Sequence, residues 1–353
     1  RINYPIWRSY GLMVYQIYAN ILLFRTAWAL LISIWSRYKI NYIAVLKLEN
    51  LRPNTNTVIN DTLTAWLLWS ISLCIFFQAN SEDSVLYNQT LSYCCPMSMI
   101  VFTLIYYLGR FINGDILYDG RGLFSPQTYI NCLLAPYYSV HFRDNFAADV
   151  LTSFTKVISD SIYVIVWIFS ASFIYSDDNT ESDDRLPVDG RTLEIIASIV
   201  VTFVFYIRGA QCCRVMYDTN THYPQFWNLL KYCSSASVVI YGVVRPGVLD
   251  EWYFILVTFA TLYKWWWDVV MDWGLHALVF PGCGTVHKGG LGLGLGQGLH
   301  SKTEKYGSPN HPYLRENLIF HPMLYYVLII VDLFLRFVWV SSLVPSDTID
   351  NIF

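Results

Sequence analysis

Long apolar runs recur along almost the whole chain, from near residue 12 to near residue 342. A helix needs about 20 predominantly apolar residues to cross a hydrocarbon core about 30 Å thick. Runs of that kind lie at 11–35, 62–78, 95–113, 146–175, 192–216, 226–244, 251–275 and 318–343. The stretches 41–48 and 126–140 are short or broken by proline, which is typical of interfacial or re-entrant helices. The pattern predicts an all-α, polytopic transmembrane helical bundle of about eight to ten helices.

Composition agrees with a membrane protein and argues against a soluble globular domain and against a nucleic-acid-binding protein. Of the 353 residues, 55% are hydrophobic and only 14% are charged, against about 25% charged in an ordinary soluble domain. The net charge of −3 offers no basic surface for nucleic acid, so the expected partner is the lipid bilayer and not nucleic acid. The cysteines and histidines show no metal-ligand spacing, so we expect no metal and no cofactor.

Ionisable residues inside the apolar runs are the most informative feature of the sequence. A charged side chain at the centre of a membrane helix costs about 2.5–3.5 kcal/mol, so such groups are expected to face a bundle interior or an aqueous path. Three sets recur at helical spacing, and each set is predicted to share one helix face. These sets are Asp149 with Lys156 and Asp160, Lys264 with Asp268 and Asp272, and Asp332 with Arg336. Further cations in the intervening runs are Arg208, Arg214 and Lys231.

If these charged helix faces meet in a common interior, their side chains can bind an anion. Arginine suits phosphate because its planar guanidinium can donate two parallel hydrogen bonds. The candidate donors for an oxyanion are Arg208, Lys231 and Arg336. Carboxylates beside them keep the empty site near neutral, so that an anion can bind and also leave; the candidates are Asp149, Asp268 and Asp272. The alternative is that the charges form structural ion pairs between helices.

Tryptophans beside these charges have two interpretations. Trp339 lies on the same predicted face as Arg336, and it is a candidate for a gate as much as for packing. The run Trp265–Trp267 favours packing over gating, because consecutive aromatic residues usually belong to lipid-facing belts or helix contacts. Catalysis is not expected. Asp268 and Asp272 are a pair suited to acid–base work, but no nucleophile, metal site or cofactor fingerprint accompanies them.

Several of these segments resemble, in order, the EXS domain of eukaryotic phosphate exporters. The segments are ADVLTSFTKVISD at 148–160, Arg208 with QCCR at 211–214, LKY at 230–232, WDVVMDW at 267–273, LRE at 314–316 and DLFLRFVW at 332–339. The first segment looks most like the short fungal Golgi members, of the ER-retention-defective type, which lack the regulatory SPX domain. Family members continue into a further helix, which we expect beyond residue 353.

The resemblance implies two regions and a set of path residues. Residues 1–145 are expected to supply N-terminal transmembrane helices and an interfacial segment, and residues 146–353 an EXS-type bundle around a phosphate path. The implied path residues are Asp149, Arg208, Lys231, Tyr232, Asp268, Asp272 and Arg336, with Trp339 as a gate.

The resemblance also implies a function, with one alternative. A multi-pass exporter in the Golgi membrane would move inorganic phosphate from the lumen to the cytosol and so support glycosylation and the retention of Golgi and ER residents. The plasma membrane is the alternative location. The alternative function is a sorting scaffold that retains glycosyltransferases, in which the intramembrane charges only support the fold. Contact with the retention machinery and a homodimer are further expectations.

Overall fold

The computed structural model describes residues 6–46, 55–81, 84–112, 126–174, 188–247, 250–273, 275, 306–308, 311–315 and 321–338. These residues are mainly helical, as predicted. The first helices are α1 Ile6–Arg37, α2 Tyr42–Val45, α3 Thr55–Asn80, α4 Gln89–Ile112, α5 Pro126–Leu133, α6 Phe142–Ser153, α7 Thr155–Ile174 and α8 Gly190–Thr219. They are followed by α9 Gln225–Val244, α10 Glu251–Trp267, a π-helical turn at Asp268–Asp272 and α11 Pro322–Arg336. Every predicted span overlaps at least one of these helices.

The membrane spans that satisfy length and composition are fewer than the eight predicted. Among the described residues, three helices are long and apolar enough, namely Tyr10–Arg37, Val58–Asn80 and Gly190–Thr219. A bent pair, Phe142–Ser153 with Thr155–Phe169, makes a fourth if it is one span. Four predicted spans fall short. The apolar helix Thr90–Ile105 within α4 is too short, α10 and α11 have only 17 and 15 residues, and α9 carries several polar side chains.

Two compact units make up the chain, residues 1–138 with 142–207 and residues 139–141 with 208–353. Both expose large apolar side chains in mid-helix, an arrangement that is costly in water but normal against lipid tails. Examples in the first unit are Leu63, Leu67 and Phe102, at 61%, 60% and 69% exposure. Examples in the second are Val327 and Ile330, at 49% and 55%.

In the first unit, α1 packs against α3, α4 and α7. The hydroxyl of buried Tyr15 lies 2.7 Å from Ser72 Oγ, and Trp69 Nε1 donates to the Tyr15 carbonyl at 3.1 Å. Gly11 lets α1 approach α3 closely, since a Cβ at this position would lie 2.9 Å from Cε2 of the buried Phe76 on α3. Small residues have this use at membrane helix contacts.

A bend of 63° separates α6 from α7. At the bend, the amide of Phe154 donates to the carbonyls of both Val150 and Leu151 at 3.1 Å. Lys156 and Asp160, which were predicted to share one helix face, form an ion pair on α7. Asp149 lies before the bend on α6, so the expected continuous stripe from Asp149 to Asp160 is not formed along one straight helix.

In the second unit, α9 and α10 form a helical hairpin. Asp250 caps α10 by accepting from the Tyr253 amide at 2.9 Å, and it also accepts from the Tyr241 hydroxyl at 2.6 Å. At the end of α10 the Trp273 amide bonds to the Asp268 carbonyl at 2.8 Å, which is the five-residue spacing of a π-helix. A short antiparallel pair that was not predicted, β1 Tyr306–Ser308 and β2 His311–Arg315, pairs Ser308 with His311.

Candidate functional site

The buried face of α9 is polar. Its buried residues are Asn228, Lys231, Tyr232 and Ser235, spaced so that they share one face of the helix. Several of its other side chains are apolar and exposed, as at Trp227 and Ile240 with 49% and 50% exposure. A membrane helix that hides its polar face and exposes its apolar face belongs to a bundle with a polar interior.

Arg208, in the C-terminal half of α8, is the most deeply buried charge of the second unit that the structure describes, with 1% exposure. Its Nε donates to the Tyr232 hydroxyl at 3.0 Å, and its Nη1 donates to Gln211 Oε1. The guanidinium carbon also lies 5.0 Å from the centre of the Tyr232 ring. These contacts fix the guanidinium against α9.

Lys231 connects the Arg208 side of the interior with α10. Its Nζ lies 4.6 Å from the centre of the Tyr232 ring and 4.9 Å from that of the Trp267 ring. Lys231 is 8% exposed, Tyr232 5% and Trp267 2%. Aromatic faces attract a cation by an amount that grows when water is excluded, so two rings stabilise this buried ammonium.

Arg336, at the end of α11, contacts carboxylates on two helices. Its Nη2 bonds to Asp268 where α10 meets the π-helical turn, and its Nε bonds to both carboxylate oxygens of Asp332 at 3.1 Å. The three side chains are similarly accessible, at 24%, 25% and 23% exposure. Asp332 and Arg336 share one helix face, as their spacing predicted, and the structure pairs them. The contact with Asp268 joins α11 to α10.

Two more ionisable residues complete the cluster. Lys264 is half-buried and lies within range of electrostatic interaction with Arg336, Lys231 and Asp268. Asp272 is exposed and accepts a hydrogen bond from Trp267 Nε1 at 3.2 Å. The π-helical turn changes the helix period between Asp268 and Asp272, so the expected regular repeat of Lys264, Asp268 and Asp272 does not continue through it.

These side chains form what we call the polar cluster. Its members are Arg208, Lys231, Tyr232, Lys264, Asp268, Asp272, Asp332 and Arg336. They come from α8, α9, α10 with its π-helical turn, and α11, all within the second unit. Four cations face three carboxylates, so the fully ionised cluster carries one net positive charge. Exposure rises from Arg208, through Arg336 and its carboxylate partners, to Asp272.

The structure brings together most of the residues that were expected to line a path. Arg208, Lys231, Tyr232, Asp268, Asp272 and Arg336 belong to the polar cluster, whereas their role in transport stays a prediction. Asp149 belongs to the first unit, where Asn145 Nδ2 lies 3.4 Å from its Oδ2. Trp339 lies outside the described residues, and its role as a gate also stays a prediction.

Packing explains the tryptophan run, as favoured from the sequence. Trp267 is buried with Val270 and Leu275, and Trp265 and Trp266 pack against the same core. Trp265 Nε1 donates to the Ile329 carbonyl at 3.1 Å and so joins α10 to α11.

Sequence reasoning left two interior residues without a role. Gln211 holds Arg208, and it follows that cation by one helical turn. Asn228 precedes Lys231 by one turn, and it is buried on the same face. In both cases the spacing from a recognised cation was the available signal.

Comparison with known proteins places these residues in a family context. The model of the EXS family matches residues 12–352. Phosphate transporter PHO1 homolog 4 of Arabidopsis thaliana is 24% identical over 351 residues, which cover 96% of this chain and 40% of that protein. Solute carrier family 53 member 1 of Mus musculus is 25% identical over 341 residues, 89% of this chain and 42% of that protein. The chain spans about two fifths of the length of these relatives.

A shorter match connects the chain with a further relative. Protein ERD1 homolog 1 of Schizosaccharomyces pombe is 28% identical over 140 residues, which cover 38% of this chain and 35% of that protein.

Proposed function

Because the chain belongs to the EXS family, as its motifs predicted, we propose that it carries inorganic phosphate across a membrane through the polar cluster. The transport is non-covalent, so no residue acts as a nucleophile and no cofactor takes part. Support for phosphate as the substrate comes from the relatives named as phosphate transporters and from the chemistry of the cluster.

The observation that carries the proposal is the ion-pair arrangement around Arg336. A guanidinium bonded to carboxylates on two helices, inside a unit whose outer surface is apolar, is costly to insert into a membrane. Such a cost is expected where charges serve a polar path. About a quarter of each of these side chains is accessible, which suits contact with a passing ion.

Phosphate binding would work by exchange of partners. Arg336 donates hydrogen bonds to Asp268 and Asp332, and an oxyanion would compete with these carboxylates for the same donors. Lys231 and Arg208 add positive potential deeper in the interior. Because the carboxylates offset part of the positive charge, a bound anion is held weakly enough to leave.

The direction and the membrane form a finer part of the proposal. We place the protein in the Golgi membrane, where it would return phosphate from the lumen to the cytosol and so support glycosylation and the retention of Golgi residents. The support is the resemblance of segment 148–160 to the short fungal members and the local similarity to an ERD1 homolog. Immunofluorescence of the tagged full-length protein tests this: staining with Golgi markers is expected, and staining confined to the plasma membrane contradicts it.

The competing function is a sorting scaffold that binds the retention machinery, in which the ion pairs only join helices. A homodimer is a separate prediction and does not distinguish the two functions. Measurement of phosphate flux distinguishes a transporter from a scaffold. Proteoliposomes that contain the full-length protein are loaded with radiolabelled phosphate, and efflux is compared with that from protein-free vesicles. Efflux well above the vesicle background is expected. Background efflux from correctly folded protein would reject transport and favour the scaffold.

A further inference from the structure

Among the described residues of the second unit, one side-chain polar atom is buried without a hydrogen-bond partner. Asn228 is 8% exposed, and its Oδ1 has no hydrogen-bond partner among the residues that the structure describes. Leaving a buried acceptor unpaired costs about 1–3 kcal/mol, and such groups are uncommon in folded proteins. An unpaired acceptor in a polar interior is therefore available to a donor that enters this interior, whether water or a bound ligand.

The position of Asn228 connects it with the polar cluster. It precedes Lys231 by three residues and Tyr232 by four, so the three side chains lie on the same buried face of α9. Its backbone is held in the first turns of the helix, where its amide donates to the Pro224 carbonyl at 3.2 Å. On the same face, Ser235 donates its hydroxyl hydrogen to the Lys231 carbonyl at 3.1 Å.

The chemistry of Asn228 complements that of the cations. Lysine and arginine can only donate hydrogen bonds, whereas an amide oxygen can only accept them. Inorganic phosphate carries at least one proton at neutral pH, and that P–O–H group needs an acceptor. A carboxylate would accept the proton's hydrogen bond but would repel the anion. A neutral amide oxygen accepts it without that repulsion.

We propose that Asn228 is a specificity-determining residue that accepts a hydrogen bond from the proton of bound phosphate and so disfavours oxyanions that carry none. The inference rests on the proposed function and deepens it. Sulfate and monofluorophosphate resemble monohydrogen phosphate in shape and charge, but at neutral pH neither has a hydrogen to donate. Either anion would leave the buried Asn228 oxygen unpaired, and sites built for a substrate hydroxyl discriminate strongly against analogues that lack it.

The test measures binding of each anion to the full-length protein, by the concentration that gives half of the maximal thermal stabilisation. Wild-type protein is expected to bind phosphate about tenfold more tightly than monofluorophosphate or sulfate. Asn228→Leu is expected to lower phosphate affinity about tenfold and to leave the affinities for the other two anions unchanged. Asn20→Leu is the matched control. Asn20 is exposed on α1 and its Nδ2 donates to the Gln16 carbonyl at 2.8 Å, so this variant should keep the wild-type ratio.

Each other outcome has a distinct meaning. Equal binding of phosphate and monofluorophosphate by wild-type protein overturns the role of Asn228, and this result does not depend on the folding of any variant. Loss of all three affinities together in Asn228→Leu would mean a structural role and also overturns it. If wild-type protein binds and transports phosphate but the variant keeps the anion ratio, only this inference fails. If wild-type protein neither binds nor transports phosphate, the proposed function fails with it.

Discussion

The guanidinium of Arg336 bonds to the carboxylate of Asp268, 68 positions earlier in the chain. The same guanidinium bonds to Asp332 on its own helix through Nε. One cation thus links α11 to the junction of α10 and the π-helical turn while a second carboxylate orients it. Under the proposed function, phosphate would compete with both carboxylates for these donors of Arg336.

Exchanging the charges of Asp268 and Arg336 tests whether this ion pair only stabilises the fold or also forms part of a phosphate path. In the double variant Asp268→Arg with Arg336→Asp, the cross-helix attraction can form again, so we expect the melting temperature to recover relative to either single change. Phosphate efflux should stay lost, because the cation has moved from α11 to α10 and Asp332 then faces a carboxylate. Thermal unfolding in detergent and efflux from vesicles measure the two properties. Recovery of efflux together with stability would mean that the pair is only structural.

Removing the Tyr232 hydroxyl should destabilise the interior around Arg208. Tyr232→Phe takes away the acceptor of the Arg208 Nε hydrogen and leaves that donor of a nearly fully buried guanidinium without this bond. We expect a loss of about 1–3 kcal/mol in the free energy of unfolding, measured with denaturant in detergent. The ring remains, so its contact with Lys231 is kept.

Tyr206→Phe is the control for that change. Tyr206 is 57% exposed and stacks on Phe203, a ring contact that the variant retains. Its stability should stay within about 0.5 kcal/mol of wild type. Equal losses in the two variants would contradict a special role for the Tyr232 hydroxyl.

Because α1 and α3 are in close contact, we expect alanine substitution to destabilise the protein at Gly11 but not at Gly242. Gly11→Ala places a Cβ 2.9 Å from the ring of Phe76, which is 0% exposed, so the helices must separate or the ring must move. We expect a cost of about 1–3 kcal/mol in the free energy of unfolding. Gly242→Ala in α9 meets no atom within 4 Å and should cost nothing. Similar effects of the two substitutions would show that this contact does not limit the packing.

The cap of α10 predicts a pH dependence of stability. The Tyr241 hydroxyl, then the Tyr253 amide, hold the pKa of Asp250 below its ordinary value, and Arg245 adds to the effect. The folded protein therefore binds this proton less tightly than the unfolded chain. The stabilisation is present above the ordinary pKa of about 3.9 and is lost as the pH falls through the lower folded value.

Asp250→Asn keeps the shape of the cap but cannot ionise. The melting temperature of wild type should exceed that of the variant near neutral pH, and the difference should shrink as the pH falls below about 4. Melting curves of both proteins across the acid range measure this. A difference that does not change with pH would contradict a contribution from the ionised carboxylate.

The sequence predicted relationships within one helix better than those between helices. Apolar runs located the helices. Spacing placed Lys156 with Asp160, and Asp332 with Arg336, on shared helix faces, where the structure pairs them, because such neighbours follow from helix geometry alone. The bend before Thr155 carries no proline or glycine that could have signalled it. The π-helical turn and the choice of Asp268 as partner of Arg336 depend on how α10 and α11 pack.

The number of spans and the role of Asn228 were also difficult to predict, because both depend on how the helices pack. Polar interior faces lower the mean hydropathy of α9 and so weaken the signal by which a span is recognised from composition. Asn228 carries no charge, so a search for ionisable residues in apolar runs passes over it. Its burial beside Lys231 becomes visible only when the helices are packed.

The most direct measurement of the central claim is phosphate efflux from proteoliposomes that contain Arg336→Ala, compared with wild type and with Arg191→Ala at matched protein content. Arg191 pairs with Glu194 at 2.9 Å on a partly exposed part of α8 in the other unit, so its removal controls for the loss of an arginine. The account predicts that Arg336→Ala lowers efflux to the background of protein-free vesicles while Arg191→Ala keeps the wild-type rate. Wild-type efflux from folded Arg336→Ala protein would contradict it.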